Sequence, residues 1–193
     1  MSEKSEFVLT VGQAQEIEFA LRRNGFDTAL VKVMTIGNNL SLFRKVLLYQ
    51  ATVTDVEHLI DLDADPFVPS GWSVPKGCHQ KGGQFKWDPA KVALYLSKEQ
   101  QDGKVLEGNK LREELKGKSP YNANLLDYLL KNPYLIPEEW KGKYVSFFGT
   151  EYRNSDDNLY VRCLCWRGGG CYGLDFWLGL GWDGFSPAAV PAG

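Results

Sequence analysis

The sequence lacks several features that would each place the protein in a broad class. None of its apolar runs reaches the roughly 18–20 residues of a membrane-spanning helix, so we expect no membrane partner. The start, Met1–Glu6, is polar and mixed in charge, which predicts a cytoplasmic protein without a secretory leader. The net charge of −2 and pI near 5.8 argue against nucleic acid as a partner, because nucleic-acid binding needs a basic surface. The hydrophobic content of 44% is nevertheless sufficient for a folded core.

Cysteine and histidine are scarce. The four cysteines are Cys78, Cys163, Cys165 and Cys171, and no two of them form a C-x-x-C pair. A zinc site would require them to converge in pairs, with His58 or His79 as a further ligand. We therefore expect reduced thiols, no bound metal and no cofactor.

Few patterns in the sequence favour catalysis. The best nucleophile and base are Cys78 and His79, but adjacent side chains diverge in an extended segment. The alternating aspartates of Asp61–Asp65 resemble the start of a calcium loop, yet Pro66 replaces the required glycine and Trp72 the bidentate glutamate. The sequence therefore predicts no catalytic residues and no calcium site.

Residues 1–54 are predicted to form a small helical unit. Thr10 and Gln13 have the spacing of a capping box, and Gly25 follows the basic end of the same helix. Two further helices are expected over Thr28–Ile36 and Leu40–Gln50. One hypothesis makes this unit a nucleic-acid or protein adaptor; its basic side chains would be Arg22, Arg23, Lys32, Arg44 and Lys45.

Residues 55–193 are predicted to form one α+β domain. Periodic apolar residues indicate two helices, at Asn109–Lys116 and Asn124–Lys131. The segments with strand-like patterns are Val56–Leu62, Val92–Leu96, Tyr144–Thr150 and Leu159–Trp166. In the last of these, alternation places Cys163 and Cys165 on one face and Leu164 and Trp166 on the other.

The last 42 residues, 152–193, contain no lysine, glutamate, glutamine or methionine. These four types fill about a quarter of residues 1–151, with 15, 12, 7 and 2 occurrences respectively. Together with tryptophan, they are the amino acids that codons ending in a pyrimidine cannot encode. Such a composition is expected where asparagine codons, AAC or AAT, have been randomised at their two adenines. The alternative is a glycine- and aromatic-rich tail that lacks charge because it is buried.

The tail also carries a sparse motif, comprising Leu159–Arg162, Trp166, Gly169, Trp177–Leu178, Trp182 and Pro187–Val190. This pattern, with the preceding Ile136–Val145, resembles the end of the variable proteins of diversity-generating retroelements. In such families a reverse transcriptase copies a template repeat with errors at adenines and rewrites the end of the gene. The resemblance implies a C-type-lectin-like fold and a protein or other macromolecular ligand that binds the C-terminal surface.

Under this interpretation, Trp166, Trp177 and Trp182 form a fixed scaffold, because their codon cannot arise by the mutagenesis. The positions between them are expected to vary and to face the ligand. These ligand-binding candidates are Cys163, Cys165, Arg167, Gly168, Gly170, Cys171, Gly173, Leu174, Phe176, Gly179, Leu180, Gly181, Gly184, Phe185 and Ser186.

Overall fold

The computed structural model describes residues 8–193, which divide into two compact units with the boundary between Val56 and Glu57. The start predicted to be free of a leader, Met1–Glu6, lies outside the described residues. Within them, no helix is both long and apolar enough to cross a membrane.

The first unit contains three helices, α1 (Val11–Arg23), α2 (Thr28–Met34) and α3 (Asn39–Leu47). The predicted capping box is confirmed, since Gln13 N–H donates to the Thr10 side chain while the Gln13 side chain accepts from Thr10 N–H. Gly25 has a positive φ of 77°, as expected of a helix-ending glycine.

The second unit is α+β, as predicted. Its helices are α4 (Gly108–Glu114) and α5 (Ala123–Lys131). Short 3-10 turns occupy Pro89–Lys91, Lys98–Gln100, Pro133–Leu135 and Glu138–Trp140. The strands are β1 (Leu59–Asp61), β2 (Gln84–Lys86), β3 (Val92–Tyr95), β4 (Leu106–Glu107), β5 (Tyr144–Ser146), β6 (Tyr152–Arg153), β7 (Leu159–Arg167), β8 (Gly170–Trp177), β9 (Gly181–Trp182) and β10 (Ala188–Pro191).

Six of these strands form the main sheet, in which β3, β10, β5, β7 and β6 are paired in that order and β8 also pairs with β7. Two small sheets, β1 with β2 and β4 with β9, complete the unit. Since β8 pairs with β7 over residues 160–167, β5 and β6 must lie along the opposite edge of β7.

The main sheet separates two hydrophobic clusters. Leu164 belongs to the cluster that contains α5, whereas Val161 and Cys163 belong to the cluster that contains Trp182 and residues of α4. The two sets alternate along β7 because successive side chains of a strand point to opposite faces. The predicted alternation is therefore confirmed.

The structure corrects several predicted strands. The strand expected over Val56–Leu62 is reduced to β1, and the one expected over Tyr144–Thr150 ends at Ser146. Strands β8 and β10 were not predicted at all. The tail is not uniformly buried either: β10 is largely buried, whereas most of β8 is exposed.

Candidate ligand-binding surface

Strands β7 and β8 form a two-residue hairpin at the centre of the tail. Gly168 and Gly169 make the turn with φ values of 57° and 80°. Positive φ at both turn residues matches the right-handed twist of the strands, and glycine adopts it with the least strain. The register runs from Arg167 opposite Gly170 to Tyr160 opposite Trp177.

One face of this hairpin packs on α5. On that face, a Cβ atom added to Gly173 would lie 3.1 Å from the Leu130 side chain. Cys171 is half-buried against the same cluster, and Trp166 beside it has the Lys141 amine 4.5 Å from its ring centroid. The fold therefore covers part of this face, while Gly173 and Asp175 on it stay exposed.

The opposite face of β8 is open to solvent. Tyr172 is 55% exposed and Leu174 36% exposed, while Phe176 is half-buried. Their partners across the strand pair, Cys165, Cys163 and Val161, are all buried. The variable-type residues on β8 thus form an outer rim over a closed core.

Neighbouring elements extend this open face. The Tyr144 ring lies 5.2 Å from the Phe176 ring, and the Arg167 guanidinium lies 4.9 Å above Tyr144. The Tyr144 N–H donates to the Phe185 carbonyl at 2.8 Å, which brings the 65% exposed Phe185 to the same region. These side chains form the hairpin surface, which comprises Tyr144, Arg167, Tyr172, Leu174, Phe176 and Phe185.

Trp182 supports the hairpin surface from below. It is buried, with ring centroids 5.1 Å from Phe148 and 5.4 Å from Phe176. Gly108 permits this packing, since a Cβ atom there would lie 2.4 Å from the Trp182 Nε1. The scaffold role expected of Trp182 is consistent with this position.

The other two predicted scaffold tryptophans are less enclosed. Trp166 is half-buried, and Trp177 is 39% exposed. The Trp177 ring nevertheless occupies the space that a side chain at position 179 would need. A Cβ atom added to Gly179 would lie 2.5 Å from this ring. Gly179 can therefore carry a side chain only if Trp177 moves.

An ion network centred on the buried Arg162 lies on the α5 side of the hairpin. Arg162 on β7 binds Asp127 of α5 through both carboxylate oxygens, at 2.7 and 2.9 Å. Burial is the largest single influence and would lower the pKa of Arg162, but the charge and hydrogen bonding of Asp127, together with Tyr152, more than offset it and raise the pKa. Burial raises the pKa of Asp175, which lies 3.8 Å from Arg162, and the Arg162 charge offsets only part of that rise.

The structure divides the predicted ligand-binding residues by exposure. Those exposed are Arg167, Gly168, Gly173, Leu174, Leu180, Gly181, Gly184 and Phe185, and those half-buried are Gly170, Cys171, Phe176 and Gly179. Three predicted positions are buried, namely Cys163, Cys165 and Ser186, which corrects the expectation that they face a ligand. They cannot contact a partner on this surface without rearrangement of the fold.

Local contacts explain two of the buried positions. The Cys163 Sγ lies 3.1 Å from the Ser146 Oγ, and burial raises the pKa of this thiol to about 12. Ser186 donates from its Oγ to Asp183 and accepts from the Gln100 amide at its carbonyl, both at 3.0 Å. Both residues therefore contribute to the interior.

Sequence reasoning missed two members of the hairpin surface. Tyr172 belongs to the same codon class as the predicted positions and lies two residues before Leu174. Recognition of β8 as a strand would have indicated Tyr172, because alternate residues of a strand share one face. Tyr144 precedes the tail, and no compositional signal marks it.

The residues considered for catalysis or metal binding make structural contacts. The His79 Nδ1 is hydrogen-bonded to the Thr150 Oγ1 at 2.8 Å, and the His58 Nδ1 to the Tyr128 hydroxyl at 2.9 Å. Burial raises the pKa of the Cys78 thiol. All four cysteines are free, and residues 8–193 contain no group of three or more His, Cys, Asp or Glu side chains suited to a metal ion.

The helical unit presents a different surface. Sixteen large hydrophobic side chains between Val8 and Val56 are exposed, and none of the described residues of this unit is buried. Its five predicted basic residues are also exposed, with Arg22 paired to Glu18 at 2.8 Å. The unit thus exposes many apolar side chains alongside its charged ones.

No family model, curated protein or solved structure matches the chain. Functional inference therefore depends on the chain's own composition and geometry.

Proposed function

We propose that this chain is a ligand-binding protein whose C-terminal surface is diversified by adenine mutagenesis, as in the variable proteins of diversity-generating retroelements. The scaffold in this proposal is a C-type-lectin-like domain, and the protein binds without catalysis. One observation carries the proposal. Residues of the mutable codon class form the exposed face of β8, while Trp182, which that class cannot encode, supports this face from the core.

This arrangement allows variation without loss of the fold. Side chains such as Tyr172 and Leu174 project into solvent, so replacing them changes few core contacts. Their backbone is held by pairing with β7 over the whole length of β8. A rigid frame with adaptable outer side chains is the arrangement that binding loops use when one scaffold recognises many partners.

The chemistry of the hairpin surface favours a protein ligand. Aromatic side chains and arginine dominate binding hot spots, and here Tyr172, Phe185 and Arg167 are exposed around the half-buried Phe176. The interspersed glycines leave room for a partner to approach the backbone.

Comparison of the gene with its sister copies tests the proposal. We expect a near-repeat of the 3′ end close to a reverse-transcriptase gene, with AAC or AAT where this copy encodes Tyr172, Leu174 and Phe185. Sister copies should vary at those positions and be constant at Cys163 and Trp182. Equal variation at lysine positions before residue 152, or at buried and exposed tail positions alike, would contradict the proposal.

A second candidate function is favoured by the exposed apolar residues of α1–α3. Leu30, Val33 and Phe43 line one apolar groove, and a contiguous apolar surface marks an interaction site, so this unit is proposed as a docking element for another protein. Deletion of residues 1–54 should then abolish a partner interaction while leaving the hairpin surface intact. A salt-dependent shift of a DNA or RNA probe by the full chain, lost on deletion, would instead favour nucleic-acid binding.

A further inference from the structure

Strand β8 is an edge strand. Strand β7 pairs with one side of it, and within residues 8–193 no strand pairs with the other. Eight residues long, it ranks among the longest strands of the described chain. An exposed strand edge presents a row of backbone N–H and C=O groups that can pair with another chain.

Hydrogen bonds identify which residues point outward. The Phe147 N–H donates to the Arg162 carbonyl at 3.0 Å, so Arg162 directs its peptide groups away from β8. The Leu178 N–H donates to the Leu159 carbonyl at 2.9 Å, so the peptide groups of Leu159 point toward β8. The peptide groups of every second residue after Leu159 point the same way. In the observed register, the β8 residues that bond inward to β7 are therefore Gly170, Tyr172, Leu174 and Phe176.

The intervening residues, Cys171, Gly173 and Asp175, direct their N–H and C=O groups away from the sheet. Among the described residues, no backbone or side-chain group is hydrogen-bonded to these six groups. They repeat at about 7 Å, the spacing of alternate residues in a strand. An extended peptide is the binding partner whose own N–H and C=O groups match that repeat.

The usual devices that protect a strand edge are weak here. Strand β8 contains neither lysine nor proline, and its one charge, Asp175, points toward the buried Arg162. Gly173 has no side chain that could cover the edge. On the solvent face, Tyr172 and Leu174 would lie beside the side chains of an added strand.

We propose that β8 binds an extended segment of the partner protein as an added β-strand. This inference rests on the proposed function and specifies its binding mode. Backbone groups of Cys171, Gly173 and Asp175 form the hydrogen bonds, and side chains at 172 and 174 select among sequences. Because the hydrogen bonds come from the backbone, they persist when the side chains are diversified. A second copy of β8 fits less well, since self-pairing would require each varied strand to complement itself.

The test uses the full chain and a peptide as the probe. A display library of random twelve-residue linear peptides is panned on the protein, and the tightest binder is synthesised. Amide exchange is then measured by NMR with and without saturating peptide. We expect the amides of Cys171, Gly173 and Asp175 to slow about tenfold or more, whereas those of Tyr172 and Leu174 are already protected in the free protein.

Two N-methylated peptides provide the matched control. One is methylated at odd positions and the other at even positions, so only one removes the N–H groups that face β8. That peptide should lose binding about tenfold or more, and the other should retain it. Strand addition is overturned if both bind equally, if no peptide is enriched, or if the three outward amides do not slow. Concentration-dependent protection of these amides without peptide would show self-pairing and would also overturn it. None of these outcomes bears on the gene comparison, so the proposed function can survive failure of this inference.

Discussion

Asparagine placed at Cys163 and at Leu174 should have very different effects on stability. These residues face each other across β7 and β8, and asparagine is the residue that an unmutated AAC or AAT codon encodes. Cys163 is 0% exposed, whereas Leu174 is 36% exposed. The pair therefore tests whether burial, rather than position along the tail, limits diversification.

The magnitude follows from the surroundings of Cys163. Val161, Leu178 and Ala188 belong to the same buried cluster, and the Ser146 hydroxyl is the polar group within hydrogen-bond distance of the thiol. An amide there leaves donors or acceptors unsatisfied, at about 1–3 kcal/mol, and its longer, branched shape adds about 1–3 kcal/mol. Cys163→Asn should therefore destabilise the unit by about 2–6 kcal/mol. Leu174→Asn should cost about 1 kcal/mol, since only partial burial and strand propensity are lost.

Urea unfolding followed by tryptophan fluorescence measures both effects. All six tryptophans lie in residues 57–193, so the signal reports the second unit alone. At about 2–4 °C per kcal/mol, the Cys163→Asn variant should also melt several degrees below the Leu174→Asn variant. Equal shifts in the unfolding midpoint would refute the assignment of Cys163 to the invariant interior.

Three further substitutions test the supporting structure. Gly108→Ala should lower the unfolding free energy by about 1–3 kcal/mol, because the added methyl would collide with Trp182; thermal melting measures this. Gly168→Val should cost about 1–2 kcal/mol more than Gly168→Asn in the same melts, because asparagine tolerates the left-handed turn. Burial raises the pKa of Asp175 in the folded state above 3.8, so the folded state binds this proton more tightly than the unfolded state does. The protein therefore loses stability as pH rises from 3.8 through the raised pKa. Asp175→Asn should thus gain stability relative to the parent above pH 3.8, and parallel curves from pH 3 to 7 would contradict this.

Features fixed by local chemistry could be predicted from the sequence. The capping box at Thr10 and helix α5 follow from side-chain spacing within one segment, and the alternation along β7 follows from its apolar pattern. Strand β8 could not be predicted in this way, because Gly170 and Gly173 interrupt any alternation of apolar residues. It is extended because β7 pairs with all eight of its residues, which is a nonlocal effect.

The burial of the candidate positions could not be predicted from the sequence. Alternation correctly placed Cys163 and Cys165 on one face of β7, yet it could not reveal which other elements cover that face. Cluster residues from α4, β9 and β10 enclose Cys163, and these segments are distant in sequence. Codon class identifies which residues can change by mutation, whereas only the fold shows which of them reach solvent.

Positions along β8 are also not independent of their neighbours. A Cβ atom at Gly170 would lie 2.8 Å from the Tyr172 hydroxyl, so a side chain at 170 requires the Tyr172 ring to move. At Gly173 an added Cβ atom would press on Leu130 at 3.1 Å, which couples β8 to α5. Glycine at these positions therefore has two consequences in this chain. It lets a large Tyr172 lie along the strand, and it leaves the outer backbone of β8 open, as the proposed strand addition requires.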